Sequence, residues 1–455
     1  MRFEMAVPNM YFVHGSDKVF DLLENKAGIT GIGVNTIMEE LTGPEQGSRF
    51  PSMVDKLNRP LDGKDVIYVR NHSTFEPDLS LYKETNIRPP LPIPGAKRDV
   101  LREALTEGKK RGFFFSIMDA SLAIPPQHGQ DKGEQFGYPW WAVVDDEYKA
   151  VRIDGKYISG VESKSCPNNP DIRKYVFARA RDIVQHYPEI DAYYVDHLEF
   201  PTYTFEDSFS CFCGHCIAKG KTLGYDLESI REELMPYFAK IEGLSQKELD
   251  GLIGHPALAR LSQFRWECIR EFAGQIRQVI KEASHGSIAF GMTGFTPAFS
   301  LLGSKNYDEI ADYVDIALPK FYPEHWTVVL SLWLKKLCSN NPNMTDTEAL
   351  EVIYKHLDWE GSDLPMSAAE IDADKRFLVP MRLVDVEAKR AITAIDGKAE
   401  ICPTIHGWGS AQNWQEKMGH LERNGLGGYI WGLFHVTDEQ MEITRQVAER
   451  NKKEA

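Results

Sequence analysis

Apolar residues along the chain fall into eight short runs, and helical patterns lie between several of them. Most runs are nearly continuous rather than alternating, as is typical of parallel strands covered on both faces. The predicted strands span residues 29–37, 65–73, 112–120, 190–200, 287–295, 314–322, 400–408 and 427–436. The clearest helical pattern covers residues 256–284, with apolar residues at three- and four-residue steps. Eight strands alternating with helices predict an α/β protein with a (β/α)8 TIM barrel.

The alternative arrangement for such a pattern is an open, doubly wound sheet. No Gly-x-Gly-x-x-Gly follows the first predicted strand, and no Walker A motif occurs in the sequence. We therefore predict a single barrel domain over residues 1–455. Its length is explained by insertions at about 121–170, 201–255 and 323–395, which a barrel would carry as loops on its catalytic face.

Composition excludes several classes of protein. Hydrophobic residues make up 42% of the chain, enough for a large core, so extensive disorder is excluded. The net charge of −15 argues against a nucleic-acid partner and against adhesion to an acidic membrane surface. The N-terminus has no apolar run typical of a secretory signal, and no segment is apolar enough for a transmembrane helix. A cytoplasmic location is the expectation.

Polar and aromatic residues gather at the C-terminal ends of the predicted strands, where barrel enzymes carry their active sites. Such a ring suits a carbohydrate, because aromatic rings stack on the apolar faces of sugars while acids and amides bind hydroxyl groups. Lys320 also needs a carboxylate or substrate partner, since burial of an unpaired charge is costly. The predicted substrate-binding residues are Asn71, His72, Asp119, Lys320, Tyr322, His406, Trp408 and Trp431.

Glycosidic cleavage requires two carboxyl groups, one to protonate the leaving oxygen and one to attack the anomeric carbon or activate water. The stretch DAYYVDHLEFP ends the fourth predicted strand with Asp196 and Glu199, and Glu324 follows the sixth. We predict Asp196 as nucleophile or charge stabiliser, and Glu199 or Glu324 as general acid. A structural role stays open for each acid, as does the choice between retention and inversion.

The stretch CFCGHC contains three cysteines, Cys211, Cys213 and Cys216, in a C-x-C-x-x-C pattern. A tetrahedral all-thiolate zinc site needs a fourth sulfur, and Cys166 on the neighbouring predicted loop is the best candidate. We therefore predict a closed, structural zinc site. Reduced thiols, a regulatory disulfide and His215 in place of one sulfur stay open, whereas the cysteine spacing of radical iron–sulfur enzymes is absent.

At these residues the chain resembles the barrel glycoside hydrolases. DAYYVDHLEFP is similar to the strand-4 signature of glycosyl-hydrolase-like barrel proteins. The cysteine layout resembles the zinc-bearing β-galactosidases of glycoside hydrolase family 42, which carry one cysteine after strand 3 and C-x-C-x-x-C after a strand-4 glutamate. The resemblance implies an acid/base role for Glu199 and zinc ligation by the four cysteines. Leu198 replaces the family's asparagine, and the seventh predicted strand has no nucleophilic glutamate, so β-galactosidase activity is not implied.

The sequence thus predicts a glycoside hydrolase with a carbohydrate substrate and no organic cofactor. A carbohydrate-binding barrel without catalysis is one alternative. A metal-dependent hydrolase or aldolase-like barrel with Asp119, Asp196 and His406 around a metal is another, although no His-x-His or His-Glu-x-x-His spacing supports it. Lyase or transferase chemistry on a sugar conjugate also stays open, and so does assembly into a homo-oligomer.

Overall fold

Parallel strands form the centre of the molecule. The computed structural model describes residues 1–42, 67–92, 97–120, 122, 146–158, 165–371, 378–433 and 436–454. Nine strands form one parallel sheet in the order β10-β11-β1-β2-β5-β6-β7-β8-β9, and β3 and β4 form a separate antiparallel pair. The strands are β1 (Phe3–Ala6), β2 (Gly31–Val34), β3 (Ile37–Thr42), β4 (Ile67–Ser73), β5 (Phe114–Ala120), β6 (Ala192–Asp196), β7 (Ala289–Gly294), β8 (Ile316–Pro319), β9 (Glu400–Ile401), β10 (Thr404–His406) and β11 (Gly428–Trp431).

The sheet closes on itself because β9 and β10 are two halves of one strand. β9 pairs with β8, and β10 pairs with β11. Between the halves, Cys402 donates its backbone N–H to Ala317 O at 2.9 Å, and Phe321 donates to Thr404 O at 2.9 Å. Counted this way, eight parallel strands surround the barrel axis. The predicted (β/α)8 fold is confirmed.

Two strand assignments made from the sequence need correction. The barrel begins with β1 at Phe3–Ala6, whereas the predicted strand 65–73 corresponds to β4, outside the barrel; its residues 65 and 66 lie outside the described part of the chain. β1 is short and contains Glu4, which disguises it as a polar segment. The carboxylate is nevertheless buried, and accepts hydrogen bonds from Tyr194 Oη at 2.8 Å and Arg2 Nε at 3.0 Å. Burial raises the pKa of Glu4.

Helices cover the outside of the barrel. They are α1 (Ser16–Leu22), α2 (Val100–Lys110), α3 (Pro170–His186), α4 (Gly214–Leu223), α5 (Leu227–Phe238), α6 (Gln246–Ile253), α7 (Pro256–Ala283), α8 (Ser300–Gly303), α9 (Tyr307–Ile310), α10 (Pro323–Cys338), α11 (Asp346–Leu357), α12 (Arg382–Ile395), α13 (Ala411–Arg423) and α14 (Asp438–Glu454). Helix α7 matches the helical pattern at 256–284. The predicted insertions after the fourth and sixth strands contain α4–α6 and α10–α12, and most of the one at 121–170 lies outside the described residues. Among the described helices, none has the length and apolar character needed to cross a membrane.

Side-chain alternation along the strands decides which residues face the barrel axis. The buried apolar side chains inside the barrel are Ala6, Met118, Ala192, Tyr194, Ile316, Leu318, Cys402 and Tyr429. Asp196 lies two residues after Tyr194, and Lys320 two after Leu318, so both continue the inward series. Asp119 directly follows an inward residue and therefore points out towards the helices. Asp119 and Asp196 both end apolar strands in the sequence, but alternation along the strand directs Asp196 to the barrel axis and Asp119 to the helices.

Candidate active site

Asp196 lies at the C-terminal end of β6, inside the mouth of the barrel, and is buried. Its Oδ1 accepts a hydrogen bond from Thr293 Oγ1 on β7 and lies 3.5 Å from Lys320 Nζ. Its Oδ2 lies 3.2 Å from His197 Nε2. Two barrel strands and the residue after β6 therefore hold this carboxylate in place.

Glu199 reaches the same group of charges because the chain turns directly after β6. His197 adopts the left-handed region with φ of 56°, and Glu199 donates its backbone N–H to His197 O at 2.9 Å. Glu199 Oε1 lies 3.5 Å from Lys320 Nζ and 3.4 Å from His197 Nδ1. Its Oε2 lies 3.7 Å from Lys305 Nζ. Lys320 and His197 thus each contact both Glu199 and Asp196, two of the acids singled out from the sequence.

The two lysines make it possible to bury both carboxylates. Burial by itself disfavours the charged form of Asp196, but the charges of His197 and Lys320, with the Thr293 hydrogen bond, outweigh it and lower the pKa of Asp196 to about 2. Lys305 is equally buried and also donates to Thr293 O. A buried charge is tolerated when it is paired and hydrogen-bonded, as these are. Asp196 is consequently a carboxylate at neutral pH.

Aromatic rings form one wall beside these charges. The His406 ring stacks on Trp408 with centroids 3.5 Å apart, and Tyr322 lies edge-on to His406 at 6.1 Å. The ring of His325 packs edge-on against Tyr322 with centroids 4.5 Å apart, and its Nδ1 shares a hydrogen bond with Tyr203 Oη at 3.0 Å. Trp408 is only half-buried. A partly accessible indole can stack on the apolar face of a ring.

The last predicted aromatic residue lies on the adjacent strand. Trp431 is half-buried on β11, in register with His406 on β10. Its ring packs edge-on against Tyr429, inside the barrel, with centroids 5.4 Å apart. Trp431 therefore belongs to the inward-facing layer of the barrel at its C-terminal end.

Three predicted site residues lie elsewhere. Asp119 points into the helix layer, where it accepts hydrogen bonds from Arg179 Nε at 2.9 and 3.0 Å and from Tyr193 Oη at 2.8 Å. Asn71 and His72 lie on β4, so the premise that put them on a barrel strand is wrong. Their role in sugar binding stays a prediction. Asp119, by contrast, ties β5 to α3.

Glu324, the third predicted acid, lies in the first turn of α10 and is fully buried. Lys417 Nζ on α13 donates to its two oxygens at 2.9 and 3.2 Å, and also to His406 O at 3.0 Å. Burial lowers the pKa of Lys417, and the charge of Glu324 opposes that effect. This pair joins two helices to the strand behind the aromatic wall, which is an arrangement for support rather than for proton transfer.

Sequence reasoning gave no site role to five residues of the site: His197, Thr293, Lys305, Tyr203 and His325. Thr293 could have been found, because it lies next to the C-terminal end of a predicted strand and faces inward. Lys305 follows a short helix after β7, and Tyr203 lies on the loop after β6. Their positions depend on how the loops fold, for which the sequence carries no short-range signal.

The four predicted metal ligands come together. Cys166, Cys211, Cys213 and Cys216 place their sulfur atoms within 4.8 Å of one another. Cys166 Sγ lies 3.4 Å from Cys213 Sγ and 3.5 Å from Cys216 Sγ. A tetrahedral ion with metal–sulfur bonds of about 2.3 Å requires sulfur separations of about 3.8 Å, so the cluster fits such an ion with little adjustment. His215 is exposed, which leaves four sulfurs as the ligand set.

Hydrogen bonds from outside the cluster also suit thiolate ligands. Val151 donates its backbone N–H to Cys211 Sγ at 3.2 Å, and Asn168 Nδ2 donates to Cys216 Sγ at 3.3 Å. Donors of this kind orient metal-bound sulfur and stabilise its negative charge. Within the described residues this is the one group of three or more cysteine, histidine or acidic ligand atoms that could hold a metal ion. The alternative site of Asp119, Asp196 and His406 is not formed, because Asp119 faces the helices.

Fold and site together define an α/β barrel with two carboxylates at the C-terminal mouth. No protein-family model and no curated protein matches the chain. Among solved structures, the PgaB (BpsB) glycoside hydrolase domain from Bordetella bronchiseptica aligns over 98% of this chain and 98% of its own, with 10% identity and a TM-score of 0.55.

Two β-galactosidases are also similar in structure. The enzyme from the psychrophilic Marinomonas ef1 aligns over 99% of this chain with 11% identity and a TM-score of 0.53. A catalytic mutant of Gan42B, a GH42 β-galactosidase from G. stearothermophilus, aligns over 100% with 12% identity and a TM-score of 0.51. The chain covers 60% and 56% of these two proteins. At such identities the comparisons confirm the resemblance to glycoside hydrolase barrels as a likeness of fold.

Proposed function

We propose that the protein is a glycoside hydrolase that binds a carbohydrate in the mouth of the barrel. The observation that carries this proposal is the ionised, buried Asp196 at the end of β6, contacted by the same lysine and histidine as Glu199. An oxocarbenium-like transition state needs a carboxylate beside the anomeric carbon. The aromatic wall at Trp408 supplies a surface for a sugar ring. The structural likeness to glycoside hydrolases supports the same class of reaction.

The low pKa of Asp196 suits the nucleophile or charge stabiliser, because either role needs a carboxylate at neutral pH. Glu199 is the second carboxyl group of the proposed mechanism. Its contacts with Lys305 and Lys320 stabilise the ionised form, whereas a general acid has to hold a proton. Proton donation by Glu199 therefore requires that bound substrate weaken these lysine contacts.

This balance of charges favours a second candidate function, a barrel that binds carbohydrate without cleaving it. Two lysines neutralise two carboxylates, so the described acids recognise hydroxyl groups well without further change. Sugar would then bind with no turnover. The candidate differs from the hydrolase in chemistry only, since both use the same mouth and the same aromatic wall.

We further propose that the four cysteines hold a structural zinc ion. A site closed by four thiolates has no open position for substrate or water, so the ion would hold loops rather than take part in catalysis. Cys211 and Cys213 follow Glu199 on the loop that leads into α4, Cys216 lies in the first turn of α4, and Cys166 joins them from the segment before α3. Zinc would thus fix the segment that carries Glu199.

The test is a hydrolysis screen of aryl glycosides and oligosaccharides with the wild type, Asp196→Asn and Glu199→Gln. Asp119→Asn is the matched control, because it makes the same change at the end of the neighbouring strand on a carboxylate that faces the helices. We expect Asp196→Asn to lose at least about a hundredfold in kcat, and the folded Asp119→Asn to stay within a few-fold of wild type. Equal turnover by wild type and Asp196→Asn would refute the proposed role. Sugar binding without turnover by any variant would establish the second candidate.

A further inference from the structure

Arg265 is a buried cation that has no acidic partner at contact distance in the described part of the chain. It lies on α7 with none of its surface exposed. Its Nη1 donates to Ser208 O at 2.7 Å, its Nη2 donates to Pro201 O at 3.5 Å, and its guanidinium lies 5.0 Å from the centre of the Phe200 ring. Among the described residues no carboxylate forms an ion pair with Arg265, and its Nε has no hydrogen-bond partner. A buried positive charge without an ion pair is costly unless negative groups lie nearby.

Burial lowers the pKa of Arg265, and Cys211, Cys216 and Glu199 oppose that effect when they are ionised. Two of these are ligands of the cysteine cluster. Metal binding requires deprotonated thiols. A divalent ion and four thiolates together carry a net charge of about −2. The loaded cluster is therefore an anion, and it would be the counter-charge that Arg265 otherwise lacks.

Arg265 also contacts the segment that connects the candidate site to the cluster. Pro201 follows Glu199 by two residues, and Ser208 precedes Cys211 by three. The guanidinium donates to the carbonyl groups of both, and so holds two points of the loop between the acid and its first cysteine. The Arg265 side chain thus interacts electrostatically with the cysteine cluster and also donates hydrogen bonds to the loop that follows Glu199.

We propose that Arg265 is a positioning residue that couples occupancy of the metal centre to the placement of Glu199. This inference rests on the proposed metal site. The loaded cluster stabilises the buried guanidinium, and the guanidinium in turn fixes the backbone between Pro201 and Ser208. Because coupling in binding free energy is reciprocal, loss of the positive charge must also weaken metal binding.

The test measures zinc affinity of the full chain by competition with a chromophoric chelator. The variants are Arg265→Met, which keeps the length without the charge, and Arg265→Lys, which keeps the charge. The control is Arg179→Met, which removes an equally buried arginine that is paired with Asp119 in another part of the barrel. We expect zinc affinity to fall by about 10–100-fold in Arg265→Met, to fall less in Arg265→Lys, and to be unchanged in Arg179→Met. A folded Arg265→Met with wild-type zinc affinity would overturn the inference.

A second measurement covers the case in which Arg265→Met does not fold. Zinc is removed from the wild-type protein with a chelator, and amide hydrogen exchange is followed with and without the ion. We expect that removal of zinc speeds amide exchange over residues 199–209 as well as over the cysteine cluster itself. Faster exchange confined to the cysteine segment would overturn it. A wild-type chain that binds no stoichiometric zinc would remove both the proposed metal site and this inference, while the hydrolysis screen would still judge the catalytic proposal.

Discussion

The buried pair of Glu324 and Lys417 allows a support role to be separated from a catalytic one. Glu324→Gln keeps the shape of the side chain and removes its charge. Lys417 would then retain its hydrogen bond to His406 O but would have no carboxylate at 2.9 and 3.2 Å. Because neither side chain of the pair is exposed, water does not screen the loss. We expect a large effect on the free energy of unfolding and a small one on turnover.

The magnitude follows from two estimates. At an effective dielectric constant of about 20, opposite charges about 3 Å apart attract by about 6 kcal/mol, part of which the desolvation of both groups cancels. In the variant, Lys417 can instead release its proton, which at pH 7 costs about 5 kcal/mol for a group with an ordinary pKa near 10.4. The cost of this deprotonation sets the upper limit on the loss of unfolding free energy in Glu324→Gln. Removal of one partner of a buried pair typically costs about 3–5 kcal/mol, and we expect Glu324→Gln to fall in this range.

The assay is urea unfolding of the wild type, Glu324→Gln and the double variant Glu324→Gln with Lys417→Met. The double variant removes both charges and should recover most of the lost stability, because an apolar pair of similar volume avoids the desolvation cost. Turnover of folded Glu324→Gln should stay within a few-fold of wild type. A loss of turnover with unchanged unfolding free energy would refute this reasoning and return Glu324 to the chemistry.

Three further predictions concern the acid, the cysteines and the aromatic wall. The folded-state pKa of Asp196, about 2, lies below the usual 3.8, so its contribution of about 2 kcal/mol is present above pH 4 and is lost as the pH falls towards 2; urea unfolding from pH 2 to 6 should show this loss in the wild type and not in Asp196→Asn, and parallel curves would contradict it. Cys216→Ser should reduce zinc content and lower the melting temperature by at least several degrees. Cys338→Ser, at a cysteine outside the cluster, should change neither. Trp408→Ala should weaken sugar binding about tenfold in calorimetry through loss of ring stacking, and unchanged affinity would place the sugar away from that wall.

Local patterns in the sequence were enough to predict several features. Seven of the eight apolar runs are barrel strands, and local inspection detects them because strands covered on both faces have an apolar composition. The end of β6 could be read directly, since Asp196 follows an unbroken buried strand. The cysteine cluster was predictable because a tetrahedral metal needs four ligands, three of which lie within one short stretch. Cys166 completed the set because loops after adjacent barrel strands are neighbours.

Other features depend on information that local inspection lacks. Asp119 looked like a mouth residue, but the phase of a strand with apolar residues on both faces is not evident from its sequence. Its partner Arg179 lies on α3, 60 residues further along the chain. Glu324 likewise appeared accessible until α13 brought Lys417 against it. The partner of a buried charge is set by packing between distant elements, so the sequence shows the charge without its counter-charge.

The described charged groups of the mouth carry no excess of negative charge, because His197, Lys305 and Lys320 lie against its two carboxylates, and this limits what net charge can do for catalysis. Asp196 and Glu199 are balanced by Lys305 and Lys320, so stabilisation of a cationic transition state cannot come from an excess of acid. It has to come from the placement of Asp196, whose charge is fixed by its strand and its hydrogen bond to Thr293. A sugar that displaced a lysine from Glu199 would free the second carboxyl group to carry a proton. A sugar that left both lysines in place would be bound without being cleaved. The difference between the two candidate functions thus lies in the response of two lysine side chains to the substrate.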